Sequence, residues 1–456
     1  MAGGFRGVTW GAREFVDRVA RRSPARLALG VFGSVIAVVT ALLAAPWATT
    51  SGHSAPFVDT LFTATSATTV TGLTVVPTGT YWSTYGLVVI LVAIKVGGLG
   101  VMTLASLLGL AVSRRLGLTQ KLLVSSETKV TRLGEVGSLV RTVIVASTAL
   151  EVTIAVVLFP RFLIDGEGAG TAAWHSVFYA VSAFNNAGFV PTEQGLVPYG
   201  SDWWVLLPIT VGVFIGSLGF PVILNVARRL RQPRRWSLHS KLTIATSLAL
   251  AAAGVVLIGA LEWNNTFRGL SPSGHVIASL FAGVMPRSGG LSTVDVGQMH
   301  QTTWLVQDSL MFVGGGSAST AGGIKVTTLA VMLLAIVAEG RGDRDVEAFG
   351  KRIPRDILQV AIAVSLISAT FVLICSLLLL GMTDLGLDRV LFETISAFGT
   401  CGLSTGITPH LPTGAKYVLV VLMFIGRTGT ITVAAALALR NRRRVIRLPE
   451  ERPIIG

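Results

Sequence analysis

The sequence predicts an all-α integral membrane protein built from four consecutive helix–loop–helix repeats, and three observations predict it. Of 456 residues, 51% are hydrophobic and only 13% charged, about half the charge of a soluble domain. So few polar residues could not cover the surface of a soluble chain this long, so lipid must be part of its solvent. Eight long apolar segments run along the chain. Two glycine-containing signatures recur four times in one register.

The apolar segments cover 27–48, 82–112, 136–160, 202–227, 238–261, 303–338, 357–381 and 415–439. Each is long enough to cross a hydrocarbon core of about 30 Å as a helix. Lipid demands that backbone polar groups pair internally, which a helix achieves. Within each pair of segments lies a shorter apolar stretch, beginning near Phe57, Thr171, His275 and Arg389 and ending in a loop rich in small and polar residues. The division is a 1–26 N-terminus, repeats at 27–115, 116–233, 234–355 and 356–440, and a 441–456 tail. Arg18, Arg21, Arg22 and Arg26 precede the 19 uncharged residues Leu27–Ala45. That run is longer than a signal-peptide core and many spans follow, so it reads as an uncleaved first helix.

The net charge is 37 − 23 = +14. The basic residues lie in short blocks between apolar spans: Arg114, Arg115, Lys121, Lys129 and Arg132; Arg228 to Lys241; Arg341 to Arg355; Arg440 to Arg447. Residues 46–81 carry no Lys or Arg. This is a positive-inside distribution, with both termini cytoplasmic and the loops opening outward, and it argues against nucleic acid as the partner. The two cysteines, Cys375 and Cys401, suggest no disulfide framework, and no metal-ligand spacing occurs.

The first signature ends in Thr68-Thr69-Val70-Thr71-Gly72, Phe184-Asn185-Asn186-Ala187-Gly188, Pro286-Arg287-Ser288-Gly289-Gly290 and Phe398-Gly399-Thr400-Cys401-Gly402. Three copies carry a Phe ten residues before the last Gly and Ser-Ala six and five before it; the third has Leu280 and Val284-Met285. A second signature lies 24 to 28 residues further on: Val96-Gly97-Gly98, Ile215-Gly216-Ser217, Val313-Gly314-Gly315 and Ile425-Gly426-Arg427. Glycine abundance in membrane helices accounts for the glycines but not for their register. The pattern predicts four helix–pore-loop–helix units in pseudo-fourfold symmetry around one pore. There, main-chain carbonyls replace the hydration shell of a cation, and irregular backbone is tolerated because it lines a wet path.

Residues 64–73, 182–189 and 396–404 resemble the pore loops of the Trk/Ktr/HKT superfamily of K⁺ transporters. Gly314 to Lys325 resembles its intramembrane gating loop, and Met423 to Arg427 its last inner helix. The resemblance covers nearly the whole chain. With about 26 residues before the first span, the chain is most like the bacterial Ktr-type membrane subunit. The resemblance implies K⁺ uptake across a bacterial plasma membrane, Na⁺ as a possible activator and no organic cofactor in this chain. It also implies a homodimer with one pore per subunit and a cytoplasmic RCK-type nucleotide-binding regulatory subunit. A serine at the first-loop position goes with Na⁺ preference in the family, so Gly72 implies K⁺. The chain departs from the family at Lys95, where glutamine is common, and at Pro286 to Leu291, where Thr-Arg-Thr-Ala-Gly-Phe is usual.

The candidate filter therefore comprises Thr68 to Gly72, Asn185, Asn186, Ala187 and Gly188, Arg287, Ser288, Gly289 and Gly290, and Gly399, Thr400, Cys401 and Gly402, with K⁺ at their carbonyls. The alternative is that the glycines are turn residues without ion contact. The candidate gate comprises Gly314, Gly315, Gly316, Ser317, Ala318, Ser319, Thr320, Ala321, Gly322 and Gly323, with Lys325 and Arg427. Ten Gly, Ala, Ser and Thr residues in mid-membrane make a poor helix, and the other repeats keep an unbroken pattern there; an inert kink is the alternative. Arg427 aligns with the small residues Gly98, Ser217 and Gly315. If these face the pore, Arg427 does too and meters cations by repulsion; a salt bridge to a carboxylate is the alternative.

Lys95 lies on another helix face and reads as structural, with Glu151 as a partner. For Glu151 and Glu393, buried hydrogen bonding is set against a proton relay. Asp59 reads as the N-cap of the first short helix, with cation attraction as a second reading. Histidines 53, 175, 275 and 410 face outward without clustering. A Na⁺-selective or poorly selective channel remains within the transport reading. A membrane enzyme lacks a close acid–base set, and a broken-helix secondary transporter would show inverted halves.

Overall fold

The computed structural model describes residues 24–115 and 134–439. The basic residues Arg18, Arg21, Arg22, Lys121, Lys129 and Arg132, and the Arg440 to Arg447 block with the tail, lie outside the described residues.

Four units follow one another. In the first, α1 (Pro24–Leu43) and α3 (Thr84–Arg115) flank the short α2 (Phe57–Thr69). In the second, α4 (Gly134–Ile164) precedes the short α5 (Ala169–Asn185), and the closing segment is split into α6 (Trp203–Leu218) and α7 (Phe220–Arg228). The third has α8 (Leu238–Glu262), the short α9 (Pro272–Val284), and α10 (Gln301–Phe312) separated from α11 (Val326–Arg341). A small antiparallel hairpin of β1 (Val346–Ala348) and β2 (Lys351–Ile353) leads to the fourth unit, α12 (Arg355–Met382), short α13 (Leu387–Phe398) and α14 (Thr413–Leu439). Among the described residues, α8, α12 and Val140–Ile164 of α4 are long and apolar enough to span a membrane. The α6–α7 pair is long and apolar enough only when its two helices are taken together, and it is bent by 100°.

The apolar pattern places the short helices at the centre. In α2, α5 and α13 nearly every residue of the last two turns is buried, whereas Val152, Val156, Leu366 and Leu373 on the long outer helices are exposed. A helix buried all round must be surrounded by protein. Each third helix packs on the short helix of the following unit: α3 on α5, α6 on α9, and α10 on α13, while α14 returns to α2. The chain thus closes on itself. Lys416 at the start of α14 pairs with Asp59 in the first turn of α2 at 3.2 Å, on the seam where the fourth unit meets the first.

Two expectations need correction, those for 202–227 and for Asp59. The segment 202–227 is not a straight helix: Gly219, at φ 91°, ends α6, and Pro221 opens α7. The second repeat is therefore broken as well as the third. The segment 303–338 has no helix between Phe312 and Val326, as its Gly-rich composition requires. Asp59 is not an N-cap: Pro56 holds that position with no side-chain cap, and Asp59 sits in the first turn. There its charge still complements the helix N-terminus.

Candidate functional site: a ring of glycines above a clamped loop

The first signature acquires a geometric reason. The residue two before each final glycine is left-handed without being glycine: Val70 at φ 57°, Asn186 at 59°, Ser288 at 84° and Thr400 at 45°. Such a conformation costs about 1–2 kcal/mol for a residue bearing a Cβ, and strain of this kind collects at functional sites. The glycines themselves lie at φ 92°, 70°, 67° and 97° for Gly72, Gly188, Gly290 and Gly402. Two left-handed residues so close reverse each loop beneath the end of its short helix.

The serine of the Ser-Ala pair holds that reversal. The Ser66, Ser182 and Ser396 carbonyls accept the Thr71, Ala187 and Cys401 amides at 2.8, 2.8 and 2.9 Å. The Ser66 and Ser396 hydroxyls accept the Gly72 and Gly402 amides at 3.1 Å each. In the third loop, where Val284 replaces the serine, Met285 O accepts the Gly289 amide at 2.8 Å. Ser288 Oγ then reaches across to Thr400 O at 2.8 Å.

The four glycines meet in chain order. A Cβ placed on Gly72 would fall 2.5 Å from Ala187 O and 2.9 Å from Gly188 Cα. One on Gly188 would fall 3.2 Å from both Gly290 Cα and Gly72 Cα. One on Gly290 would lie 2.1 Å from Cys401 O, and one on Gly402 2.2 Å from Thr71 O. The Ala187, Cys401 and Thr71 carbonyls therefore lie at three of the junctions between loops, the Gly188–Gly290 junction is a contact of α-carbons, and no side chain fits between the loops. Thr68, Thr69, Thr71, Ala187 and Cys401 are buried around this ring. Arg287 is not an open pore lining: its guanidinium is buried without a hydrogen bond and stacks 5.2 Å over the Phe214 ring.

The second signature sits where its glycines are needed. A Cβ on Gly97, Gly216 or Gly426 would come within about 2 Å of the carbonyl of Thr68, Phe184 or Phe398. The third helix of each of these units is thus pressed against the last turn of its own short helix, and only glycine permits that approach. In the third unit Gly314 is pressed instead against Gly322 O.

Residues 314–323 fold as an ordered loop, buried except for Ser317. Gly314 N donates to Ile324 O at 2.9 Å and Val326 N to Gly315 O at 3.1 Å, pinching the loop at its base. The broken α6–α7 segment holds one side of it. There the Gly316 amide donates to Ser217 O at 2.7 Å, Thr320 Oγ1 to Gly216 O at 3.0 Å, and the Phe220 amide to Ala318 O at 3.3 Å. Gly219 opens the helix so that these groups turn to the loop rather than to each other. On the opposite side Arg427 Nη1 donates to Thr320 O, and Lys325 Nζ donates to Ala321 O at 2.6 Å. At the top, Gly322 lies against Thr400 Oγ1 and Gly399 O of the fourth glycine loop. Among the described residues no carboxylate pairs with Arg427.

Its repeat partners are closely packed. A Cβ on Gly98 would fall 2.1 Å from Asn185 Oδ1, and one on Gly315, within the Gly-rich loop, 2.4 Å from Ser217 O. Arg427 is buried to 1% exposure, with its Nη1 on the Thr320 carbonyl of the loop.

Of the intramembrane acids, Glu151 pairs with Lys95, as the sequence suggested, at 2.6 Å. Glu393 accepts from Ser404 Oγ, the Thr405 amide and Thr408 Oγ1 at 2.5, 3.1 and 2.9 Å, tying α13 to the irregular segment leaving the fourth glycine. Glu262, which the sequence reading passed over, accepts from the His300 amide and Thr303 Oγ1 and steadies the start of α10. Its position just past an apolar helix was the available signal. The histidines stay apart; His175 faces Glu167 at 2.9 Å and His275 stacks on Trp263 at 4.2 Å. Among the described residues no cluster of metal-binding side chains forms.

Comparison with known proteins follows the same geometry. The family model described as "Cation transport protein", TrkH, matches residues 34–443. The chain belongs to the TrkH family of cation transport proteins. Members of this family are membrane transporters and not enzymes. Among TrkH-family relatives, the chain is 38% identical to Ktr system potassium uptake protein B of Bacillus subtilis, over 95% of this chain and 96% of that protein. It is 30% identical to potassium/sodium uptake protein NtpJ of Enterococcus hirae, over 96% and 99%. The crystal structure of the potassium transporter TrkH from Vibrio parahaemolyticus superposes with a TM-score of 0.71 at 17% identity, over 90% of this chain and 83% of that one, which shows a common fold.

Proposed function

We propose that this TrkH-family chain takes up K⁺ across a bacterial plasma membrane, with its four units in pseudo-fourfold symmetry around one pore. The observation that carries the reading is the closed order Gly72, Gly188, Gly290 and Gly402, with main-chain carbonyls at three of their junctions. Such oxygens substitute for the water shell of a monovalent cation without a charged side chain. The short helices direct their partly negative C-termini toward the centre, which favours a cation there. Potassium is the substrate named for the Ktr relatives, and Gly72 stands where a serine accompanies Na⁺ preference in similar proteins. The NtpJ name supports Na⁺ as an activator or second substrate.

The loop 314–323 is the gate. It lies directly beneath the fourth glycine loop, and its hydrogen bonds to α6, α7, Lys325 and Arg427 are the contacts that must be exchanged for ions to pass. Both termini are cytoplasmic. A homodimer and a cytoplasmic RCK-type nucleotide-binding subunit complete the assembly; the Ktr system names support a multi-subunit system.

Growth and Rb⁺ uptake in cells lacking their own K⁺ systems test the reading. Rescue at low K⁺ is expected, abolished by Gly72→Asp or Gly402→Asp. Rescue that survives both substitutions in a correctly inserted protein removes the filter.

A further inference from the structure

The boundary between the first and second glycine loops carries a device the other boundaries lack among the described residues. Lys95, on α3, directs its three protons to Glu151 Oε1 and Oε2 on α4, at 2.7 and 2.6 Å, and to Ser147 Oγ at 3.2 Å. Glu151 Oε1 accepts a second bond, from Asn185 Nδ2 at 2.8 Å. The other proton of that amide goes to Val181 O at 2.9 Å. Both amide protons being committed, Asn185 Oδ1 is turned toward the backbone of α3 at Gly98. Asn185 is the last residue of α5, and three residues later Gly188 takes its place against Gly72.

We propose that Lys95 and Glu151 are positioning residues for ion discrimination: through Asn185 they set how closely the second glycine loop stands to the first. The stretch Lys95–Gly98 works as a spacer. Gly97 rests on Thr68 O of the first loop, Gly98 on Asn185 of the second, and Lys95 locks the helix to α4 one turn away. The corresponding residues of the other loops have different supports. Thr69 Oγ1 bonds Thr65 O at 2.7 Å, Arg287 stacks on Phe214, and Gly399 faces Met311 O. An ion pair within an apolar span, with Glu151 buried and Lys95 half-buried, is demanding to maintain. A plain structural tie needs only Lys95 and Glu151; the third member, Asn185, connects the pair to the glycine loop.

The inference rests on the proposed filter, and the experiment separates the two. Rb⁺ uptake is measured against rising Na⁺ in full-length protein in cells lacking K⁺ systems, alongside thermal stability in detergent. Lys95→Met with Glu151→Leu removes both charges and the acceptor for Asn185. It is expected to melt no lower than wild type, while the Na⁺ concentration that halves uptake falls at least roughly fivefold, the scale of one lost hydrogen bond. The exchanged pair Lys95→Glu with Glu151→Lys restores the tie between helices. A lysine at 151 cannot accept from Asn185, and turning that amide over would set Oδ1 against Val181 O. The same loss is therefore expected from a well-folded protein. In an Asn185→Ala background the pair substitutions should add nothing. Wild-type Na⁺ competition in either folded double variant, or full additivity with Asn185→Ala, overturns the positioning role. Failure of the filter itself would appear separately, as wild-type protein without preference for Rb⁺ over Na⁺.

Discussion

The guanidinium of Arg427, on the last helix, is hydrogen-bonded to the main-chain carbonyl of Thr320 in the Gly-rich loop of the third unit. It makes this bond with Nη1 alone; Nε and Nη2 are buried without partners. A cation held this way in mid-membrane opposes folding by several kcal/mol, so its retention calls for a task. If it clamps the gate, Arg427→Ala should raise Rb⁺ uptake severalfold. Melting temperature should hold or rise, because a desolvated charge has been removed. Unchanged uptake in a stable variant would separate Arg427 from gating.

The opposite clamp makes an independent prediction. Gly219 has φ 91°, and a Cβ there would lie 2.5 Å from Ser317 O. Gly219→Ala therefore strains the break by about 1–2 kcal/mol and pushes directly on the loop. Faster amide exchange within 314–323 and raised uptake are expected. Thr320→Val removes the hydroxyl bond to Gly216 O and leaves the longer main-chain bond to the same oxygen at 3.5 Å, so it should act in the same direction with a smaller effect, near 1 kcal/mol.

The residues differ in how readable they were. Gly97, Gly216 and Gly426 announce themselves because the contact that demands glycine is made within each unit, 24 to 28 residues beyond the glycine loop, so the spacing survives in one dimension. Ser66, Ser182 and Ser396 recur for the same reason: their bonds run five and six residues along the chain. Arg427 and Thr320 are 107 residues apart, and nothing local encodes their meeting. Alignment of Arg427 with Gly98, Ser217 and Gly315 pointed to a shared wet face. Those positions are also closely packed against neighbouring groups, a demand that composition cannot separate from exposure to a pore. The break at Gly219 was legible in principle, since Gly219-Phe220-Pro221 places proline near the start of a new helix. The apolar continuity of 202–227 hid it. The pair Lys95 and Glu151 was readable because a lysine within an apolar span calls for an acid, and few acids lie at that depth.

The hydroxyl brace offers a test of how finely the loops are set. Ser66→Ala leaves the Gly72 amide without its 3.1 Å acceptor, and an unsatisfied buried donor costs about 1–3 kcal/mol. Tolerance of Na⁺ in Rb⁺ uptake should fall, as it should for Ser396→Ala at Gly402. Equal competition curves in both variants would mean that the amides of these glycines play no part in setting the ring.

Glycine-to-alanine substitutions distinguish the ring from glycines that are merely present. Gly30 lies in α1 with nothing within 4 Å of an added Cβ, so Gly30→Ala should stabilise the helix by about 0.5–1 kcal/mol and leave uptake unchanged. Gly188→Ala adds the same methyl at φ 70°, 3.2 Å from the α-carbons of Gly72 and Gly290. The methyl must enter the space between loops, and the left-handed backbone adds about 1–2 kcal/mol of strain. Uptake of Rb⁺ should drop by more than tenfold, while the protein still reaches the membrane, because the long outer helices that insert it are untouched. Measuring surface abundance with uptake separates a blocked ring from a lost protein. Normal uptake from Gly188→Ala at normal abundance would mean that ions travel elsewhere.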